Sequence, residues 1–245
     1  MLVKLENPTL LCKAVELISE LVTEVRIKVN EFGMSISAMD PANVAMVGFK
    51  IPRSAFAQFE VDEEILGVNL DDLKRILKRA GAGSSIILER KENMLEIQIY
   101  DRIKRIFSLA LIEIESEDIE FSSKVEKMEF VSKVGIRSID LIDSVEDCAV
   151  VSDACGFIIE DGSFIIEAKG MNSSRAEFSG DEVDIQAENC KSRYSLEYLQ
   201  RFVKASKLCE KTILNFSSDH PLKIDIKAES IEISFVLAPR IETED

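Results

Sequence analysis

Positively charged side chains cluster on one short stretch of this sequence. Lys74, Arg75, Lys78 and Arg79 stand at positions i, i+1, i+4 and i+5, and this spacing places all four on one side of a helix. Bases in such an arrangement contact phosphate groups, which requires no side chain that reads a base sequence. No aromatic residue interleaves with them, so stacking of single-stranded bases is not indicated. The cluster predicts weak contact with a nucleic-acid backbone; the alternative is an ordinary solvated helix face.

Residue types that carry out catalysis are sparse. His220 is the only histidine and precedes Pro221 in a predicted loop. The sequence has no nucleophile elbow, no phosphate-binding loop and no dinucleotide-binding glycine motif. Asp40 and Asp153 would act as nuclease-like carboxylates only if the fold brought them together. We therefore predict no catalytic residue and no enzyme activity, and an acidic, metal-dependent nuclease is the alternative from another class.

The five cysteines are odd in number and scattered, without a C-x-x-C pair or a histidine cluster. A disulfide framework is therefore not expected, and neither a metal nor a cofactor is predicted. There is no basic and apolar leader, and no apolar run approaches the roughly 20 residues of a membrane span. These features predict a soluble, intracellular protein without a membrane partner.

Four amphipathic helical segments recur at a nearly constant interval. A fixed period indicates one structural unit used four times. The predicted helices, each with one apolar face, are Pro8–Val22, Leu70–Ala80, Ser132–Ser144 and Ser195–Lys207. The segments between them alternate apolar and polar residues, which is typical of strands in antiparallel sheets. Since two units make a normal domain, the sequence predicts an α+β fold with two similar domains, each a doubled β-α-β-β-β unit.

An acidic stretch, Glu113–Glu120, separates the two halves and lacks a sustained strand pattern. It carries one isolated apolar residue, Ile119. We predict domains over 1–113 and 128–245, joined by a connector over 114–127, and a short acidic tail over 242–245.

The net charge of −15 predicts repulsion from polyanions if the charge is evenly spread. It is not evenly spread, because the four predicted helices contain ten basic and seven acidic residues. The helices would therefore carry +3 and the rest of the chain −18. The helix faces are the surface that this sequence predicts to tolerate a polyanion.

Several segments resemble the proliferating cell nuclear antigen family. They are residues 32–47 (FGMSISAMDPANVAMV), residues 67–81 (GVNLDDLKRILKRAG), residues 194–199 (YSLEYL) and residues 237–242 (LAPRIE). The segments fall in the family's order across the whole chain, and the composition is similar to that of archaeal members. The family comprises sliding DNA clamps, which are closed trimeric rings around duplex DNA. The resemblance implies a non-enzymatic processivity factor for DNA replication and repair, with sheets outside and helices inside the ring.

Helix geometry is consistent with a ring of three chains. Eight helices spaced about 9–10 Å apart give roughly 24 Å between opposing axes and a free bore of about 14 Å, which is too narrow for a duplex. Twelve helices give roughly 36 Å and a free bore of about 26 Å, which is wide enough. Four helices per chain thus make a trimer the smallest workable ring. The alternative within the family is a subunit of a heterotrimeric or checkpoint-type ring.

The resemblance implies two sets of site residues, and the acidic residues of the third predicted helix suggest a third set. The DNA-facing set comprises Lys13, Lys74, Arg75, Lys78, Arg79, Arg137, Arg201, Lys204 and Lys207. Glu197 stands where many relatives have a base, and Arg201 lies one turn further on. The partner groove comprises Met39, Val44, Met46, Ile119, Pro221, Ala238, Pro239, Arg240 and Ile241, unless these residues belong to the strand core. The expected partners are DNA polymerase, the clamp loader, a flap endonuclease and DNA ligase, each through a short motif with a glutamine, an aliphatic residue and two aromatics.

The third set concerns the subunit boundary. Asp140, Asp143 and Asp147 are unusual on a helix that lines a bore. We expect them to meet Arg102, Lys104 or Arg105 of a neighbouring copy; the alternative is a solvated acidic face. The expected location is cytoplasmic and nucleoid-associated, or nuclear in a eukaryote.

Overall fold

The computed structural model describes residues 1–115 and 118–241. Within them lie five α-helices, α1 Thr9–Ile18, α2 Leu70–Leu77, α3 Phe121–Val125, α4 Ser138–Val151 and α5 Leu196–Ser206, and a short 3-10 helix at Arg53–Ala55. The first nine strands are β1 Leu2–Leu5, β2 Glu24–Asn30, β3 Gly33–Met39, β4 Ala45–Pro52, β5 Gln58–Glu60, β6 Glu64–Asn69, β7 Ser85–Lys91, β8 Met94–Tyr100 and β9 Lys104–Ala110. The other nine are β10 Ser132–Arg137, β11 Ala154–Glu160, β12 Ser163–Lys169, β13 Ser173–Phe178, β14 Asp184–Ala187, β15 Cys190–Ser195, β16 Lys211–Phe216, β17 Leu222–Ala228 and β18 Ile231–Leu237.

The element order contains one plan four times. The repeats are β1-α1-β2-β3-β4, β6-α2-β7-β8-β9, β10-α4-β11-β12-β13 and β15-α5-β16-β17-β18. The short elements β5, β14 and α3 lie between them. The prediction of a doubled β-α-β-β-β unit in each half is confirmed. By compactness the chain forms two units: the first comprises 1–41, 47–121 and 229–233, and the second 42–46, 122–228 and the residues from 234 onward.

In the first unit, antiparallel strands form one sheet in the order β5-β1-β7-β8-β9 and a second row in the order β6-β2-β3-β4. A cavity of about 10 Å³ marks the centre of its core. Side chains from both helices and both rows of strands line it: Leu11, Val15, Ile27, Met34, Ile36, Leu66, Leu73, Leu77, Leu88 and Leu95. The apolar stripes of α1 and α2 therefore cover the dry faces of the strands, as their spacing predicts.

The second unit repeats this arrangement, with strand orders β13-β12-β11-β15 and β14-β10-β16-β17-β18. Its core is richer in aromatic rings. Phe157 lies edge-on to Tyr194 at 5.5 Å and to Phe164 at 5.7 Å between ring centroids. Phe202 of α5 stacks on Phe235 at 4.3 Å. These contacts join the helix layer to the sheets beneath it.

The predicted helix over Ser132–Ser144 is wrong at its start. Residues 132–137 form strand β10, which pairs with β14 on one side and β16 on the other, and the helix begins at Ser138. Val134 and Ile136 are fully buried while the neighbouring bases are exposed, a period of two that belongs to a strand. Ile139, predicted to be buried, is 56% exposed. The error arose because Ile136 also fits a helical spacing with the residues that follow.

This shift also changes the repeat spacing. The four long helices begin at Thr9, Leu70, Ser138 and Leu196, so the interval is less constant than predicted. None of the helices in the described ranges is long and apolar enough to cross a membrane.

Candidate functional site

The basic cluster of the first unit lies on α2 and the turn after it. Asn69 starts the helix, because its side-chain oxygen accepts hydrogen bonds from the backbone N–H groups of Asp71 (3.0 Å) and Asp72 (3.1 Å). The same two carboxylates pair with the bases one turn further on, Lys74 at 2.7 Å and Arg75. Part of the positive charge of the cluster is therefore balanced within its own helix.

The other helix-borne bases have similar partners. Glu16 of α1 accepts Lys13 at 2.6 Å and Lys78 at 3.2 Å, and the hydrogen bond from Lys13 is the main reason that the pKa of Glu16 is lowered. On α5, Arg201 pairs with Glu197 at 2.7 Å. Arg79 and Lys207 are exposed, and neither has a carboxylate partner within the described residues. No carboxylate among those residues balances their charge.

The predicted positive balance of the helices is wrong. Within their observed bounds, the four long helices contain five basic residues and eight acidic ones. The main cause is α4, which carries Asp140, Asp143, Glu146 and Asp147 and no lysine or arginine. Arg137, predicted to lie on this helix, ends strand β10, and its Nε and Nη2 donate to the two carboxylate oxygens of Asp140 at 2.6 and 3.0 Å.

Besides Arg137, the predicted DNA-facing bases that lie outside the helices are Lys78, Arg79 and Lys207. Together with Lys204 in the last turn of α5, Lys78, Arg79 and Lys207 place positive charge at the C-terminal ends of α2 and α5, where cations also interact favourably with the helix dipole. The basic character is thus a property of the second helix in each unit, and α4 is an acidic exception.

A second feature is formed by residues 111–115 and 118–121, which contact the row β6-β2-β3-β4 on the face that carries Arg26 and Lys28. The N–H of Ile112 donates to the carbonyl of Gly67 in β6 at 2.9 Å. Arg26 of β2 donates to the carbonyl of Ile114. At the far end, the N–H of Phe121 lies 3.4 Å from the Ser37 hydroxyl of β3. Residues 112 and 114 therefore contact β6 and β2, and Phe121 contacts β3.

Two glycines make room for these contacts. A Cβ on Gly67 would lie 2.0 Å from the carbonyl oxygen of Ile112, and one on Gly48 of β4 would lie 2.6 Å from the ring of Phe121. No side chain fits at either position. Sequence reasoning did not single out these glycines for this role, although an isolated glycine in a strand pattern is a signal of close approach.

Ion pairs also hold residues 118–120 against strand β2. Lys28 of β2 binds Asp118 at 2.6 Å and Glu120 at 2.9 Å. Partial burial alone would lower the pKa of Lys28, but the two carboxylates raise it. Ile119 lies between these anchors and is half-buried.

The predicted groove residues of the second unit come together in part. The N–H of Ala238 donates to the carbonyl of Val44 at 2.8 Å, and the N–H of Arg240 donates to the carbonyl of Arg193 at 2.7 Å. Val44, Pro221, Ala238 and Pro239 are half-buried, and Ile241 is 68% exposed. Met46 is only 5% exposed. Met39 and Ile119 belong to the first unit, and that they complete one groove with the others stays a prediction.

The predicted boundary residues lie on exposed elements. Strand β9 is an outer strand of its sheet. Its residue Arg105 pairs with Asp101, which precedes the strand, and the ammonium of Lys104 lies 5.3 Å from the centroid of the Tyr100 ring. Asp143 and Asp147 of α4 are exposed.

Of the nuclease-like carboxylates, Asp40 is buried and Asp153 binds Arg240 at 2.7 Å.

Two family models match the chain. The one described as "Proliferating cell nuclear antigen, N-terminal domain" matches residues 1–121, and the one described as "Proliferating cell nuclear antigen, C-terminal domain" matches residues 124–241. Among curated proteins, the chain is 36% identical to the "DNA polymerase sliding clamp" of Pyrococcus furiosus over 234 residues, covering 91% of this chain and 92% of the relative. It is 34% identical to the protein of the same name from Pyrococcus horikoshii over 238 residues, with 93% of each covered.

Solved structures agree on the fold. The proliferating cellular nuclear antigen of Entamoeba histolytica superposes with a TM-score of 0.89 at 21% identity, over 98% of each chain. The structure of this antigen from Thermococcus kodakaraensis superposes with a TM-score of 0.89 at 23% identity, over 98% of this chain and 99% of the other.

Proposed function

The chain belongs to the proliferating cell nuclear antigen family, and we propose that it works as a DNA polymerase sliding clamp that closes into a ring of three copies around duplex DNA. The observation that carries this function is the identity of 34–36% over more than nine-tenths of the chain to archaeal proteins named DNA polymerase sliding clamp. A clamp of this kind is a processivity factor and not an enzyme: it keeps a polymerase on its template.

The DNA-facing surface that we propose is the set of bases at the ends of α2 and α5. Because Lys74, Arg75 and Arg201 share their charge with carboxylates on their own helices, the contacts to phosphate are weak. Weak contacts suit a ring that must move along the duplex. DNA would be held by topology, with Arg79, Lys204 and Lys207 as electrostatic guides.

The partner surface that we propose lies on the second unit and combines Val44 and Pro221 with residues 238–241. It would receive the glutamine–aliphatic–aromatic motif of DNA polymerase, the clamp loader, a flap endonuclease and DNA ligase, with the two aromatic rings as the buried anchors. Ile241, which is 68% exposed, supplies apolar surface that such a ring can cover. Met46 is unsuitable for a test of binding, because a charge at a buried position would test folding instead.

We propose that the ring closes through the outer strands of two sheets, one from each of two neighbouring copies. β9 ends one sheet of the first unit and β13 ends one sheet of the second, and an unpaired edge is a ready template for another strand. Ile103 and Ile106 beside this edge are 63% and 53% exposed. The carboxylates of α4 that have no assigned role, Asp143 and Asp147, would meet Arg102 and Lys104 of the next copy.

The test of this function compares circular and linear DNA. A clamp loaded onto a nicked circular plasmid by a clamp loader and ATP should stay bound in high salt and leave when a restriction enzyme linearises the circle. On linear duplex, binding should already be feeble and fall further with salt. Equal retention on both forms in high salt would contradict the topological mechanism.

The molar mass of the purified chain separates the two ring types. Light scattering at tens of micromolar protein should give three times the chain mass of 27.5 kDa. A result of one or two chains at moderate salt would instead require other subunits.

A further inference from the structure

A cleft of about 640 Å³ lies on the second unit, apart from its helices. Three adjacent strands form its floor, where Gly156 of β11 is paired with Glu167 of β12 and with Arg193 of β15. A Cβ on Gly156 would meet no atom closer than 3.8 Å. Packing therefore does not require a glycine at position 156, and the absence of a side chain there deepens the cleft.

The cleft opens on the face of the sheet that the helices do not cover. Side chains of a strand alternate between the two faces, and Phe157, next to Gly156, packs against Phe164 and Tyr194 in the core. The helices α4 and α5 lie against β11 on that core side. DNA that faces the helices would thus be on the opposite side of the sheet from the cleft.

The walls come from two segments that flank β15. The N–H of Asp219 donates to the carbonyl of Lys191 at 3.2 Å, and the N–H of Arg240 donates to the carbonyl of Arg193 at 2.7 Å. Arg240 and Ile241 line the cleft and directly follow Ala238 and Pro239 of the proposed partner surface. The cleft and the end of that surface are therefore parts of one continuous strip.

The lining is positive in an otherwise acidic protein. Four bases line it, Lys169, Lys191, Arg193 and Arg240, against the two carboxylates Glu167 and Asp219. The net charge of the whole chain is −15. Local charge of the opposite sign marks a surface that attracts negative ligands.

Glu167 organises these bases. It is 5% exposed, and its carboxylate lies 2.9 Å from the ammonium of Lys169, 3.9 Å from that of Lys191 and 3.1 Å from the guanidinium of Arg175. Burial alone would raise the pKa of Glu167, but these partners lower it. One buried carboxylate thus holds two lysines at the floor while their side chains stay 71% and 58% exposed, so the ammonium groups remain available to a ligand.

We propose that this cleft binds an acidic peptide segment that flanks the glutamine–aliphatic–aromatic motif of a partner protein. The inference rests on the proposed function and extends it from the motif to its neighbouring sequence. A partner whose motif docks at residues 238–241 brings its flank to Arg240 and the cleft, where glutamate or aspartate side chains meet Lys169 and Lys191. Partners with acidic flanks would then bind more tightly than partners with neutral ones.

The experiment uses the full-length protein and three fluorescent peptides in anisotropy titrations at moderate salt. The first peptide carries the motif with alanine and glycine flanks. The second carries the same motif in two versions, with four glutamates either before or after the motif. The third carries the glutamates without the motif. One acidic version should bind about tenfold more tightly than the neutral peptide. In the double variant Lys169→Gln/Lys191→Gln this gain should fall to twofold or less, with the neutral peptide unchanged.

The control variant Lys133→Gln/Lys91→Gln removes the same charge at exposed positions outside the cleft and should keep the full gain. Failure of the neutral peptide to bind would contradict the proposed partner surface. The third peptide tests the cleft independently, because its weak binding to the unaltered protein should be lost in the double variant. Equal affinity of acidic and neutral peptides, or a gain that survives Lys169→Gln/Lys191→Gln, would overturn the proposal. So would a double variant that loses affinity for linear duplex DNA without any dependence on peptide flanks, because the cleft would then bind phosphates.

Discussion

The helices of the two units occupy matching places in one repeated plan but differ in surface charge. The second helix of each unit, α2 or α5, is followed or ended by bases. The first helices differ from each other: α1 has one lysine and one glutamate, whereas α4 has four carboxylates and no base. Their buried stripes are alike, since all four pack apolar side chains on strands.

This difference indicates which part of a repeat is free to diverge. The buried face of a helix is constrained by the volume of its core, whereas an exposed substitution changes stability by less than about 0.5 kcal/mol. Charge on the outer face can therefore follow function. In the function proposed above, the bases at α2 and α5 would face DNA and the carboxylates of α4 would face another copy.

The largest effect is expected from the shared interior. Leu73 of α2 and Leu199 of α5 hold the same helical position and are 3% and 0% exposed. Leu73→Ala and Leu199→Ala should each lower the free energy of unfolding by about 2–5 kcal/mol, measured by urea denaturation with far-UV circular dichroism. The exposed change Gln200→Ala is the control and should cost less than about 0.5 kcal/mol. A loss below about 1 kcal/mol in either leucine variant would mean that the two cores are not equivalent.

The acidic face of α4 should give the next largest effect. Asp143→Lys/Asp147→Lys should weaken association of the copies by about 100-fold, which corresponds to about 2.7 kcal/mol, because like charges would face each other across the boundary. Sedimentation equilibrium measures the change. Adding Arg102→Asp/Lys104→Asp should restore part of the association. The control Glu160→Lys/Glu188→Lys reverses two exposed carboxylates elsewhere, and an equal loss there would point to net charge instead of a specific contact.

Bases with and without carboxylate partners should differ in their effect on DNA. Arg79→Gln/Lys207→Gln should reduce the slope of log affinity against log salt for linear duplex by about 0.9 per side chain. Lys74→Gln/Arg75→Gln should reduce it less, because Asp71 and Asp72 already balance those charges. Fluorescence anisotropy at low ionic strength gives both slopes. Identical slopes for the two variants would show that the pairs open when DNA arrives.

The smallest effect concerns the buried carboxylate of the second unit. The basic partners of Glu167 lower its pKa below the ordinary value of 4.5. The ionised carboxylate therefore contributes its full stabilisation above pH 4.5, and this stabilisation is lost as the pH falls through the pKa of the folded state. Glu167→Gln should therefore flatten the decline of unfolding free energy below about pH 4.5. Glu177→Gln removes an exposed carboxylate that also binds Arg175 and serves as the control. Parallel pH profiles of Glu167→Gln and the unaltered protein would contradict this role.

Much of the fold follows from periodicity in the sequence. Apolar residues at helical spacing predicted four helices, of which α1, α2 and α5 lie within the predicted ranges. Alternation predicted strands such as Val25–Val29, because a side chain on a strand must face either core or water. The segments resembling the family were sufficient to predict a clamp, since they extend along the whole chain.

The tertiary structure decided what depends on neighbours distant in sequence. Residues 132–137 form a strand because β14 and β16 lie on both sides of them, whereas their own pattern fitted both a strand and the start of a helix. Gly48 and Gly67 are required because residues distant in sequence lie against them. Glu167 of β12 gathers Arg175 and Lys191 only because β13 lies beside β12 and β15 lies one strand beyond β11 in the same sheet. Local pattern thus determined which elements form, whereas pairing between distant strands determined where charge is neutralised and where it stays available.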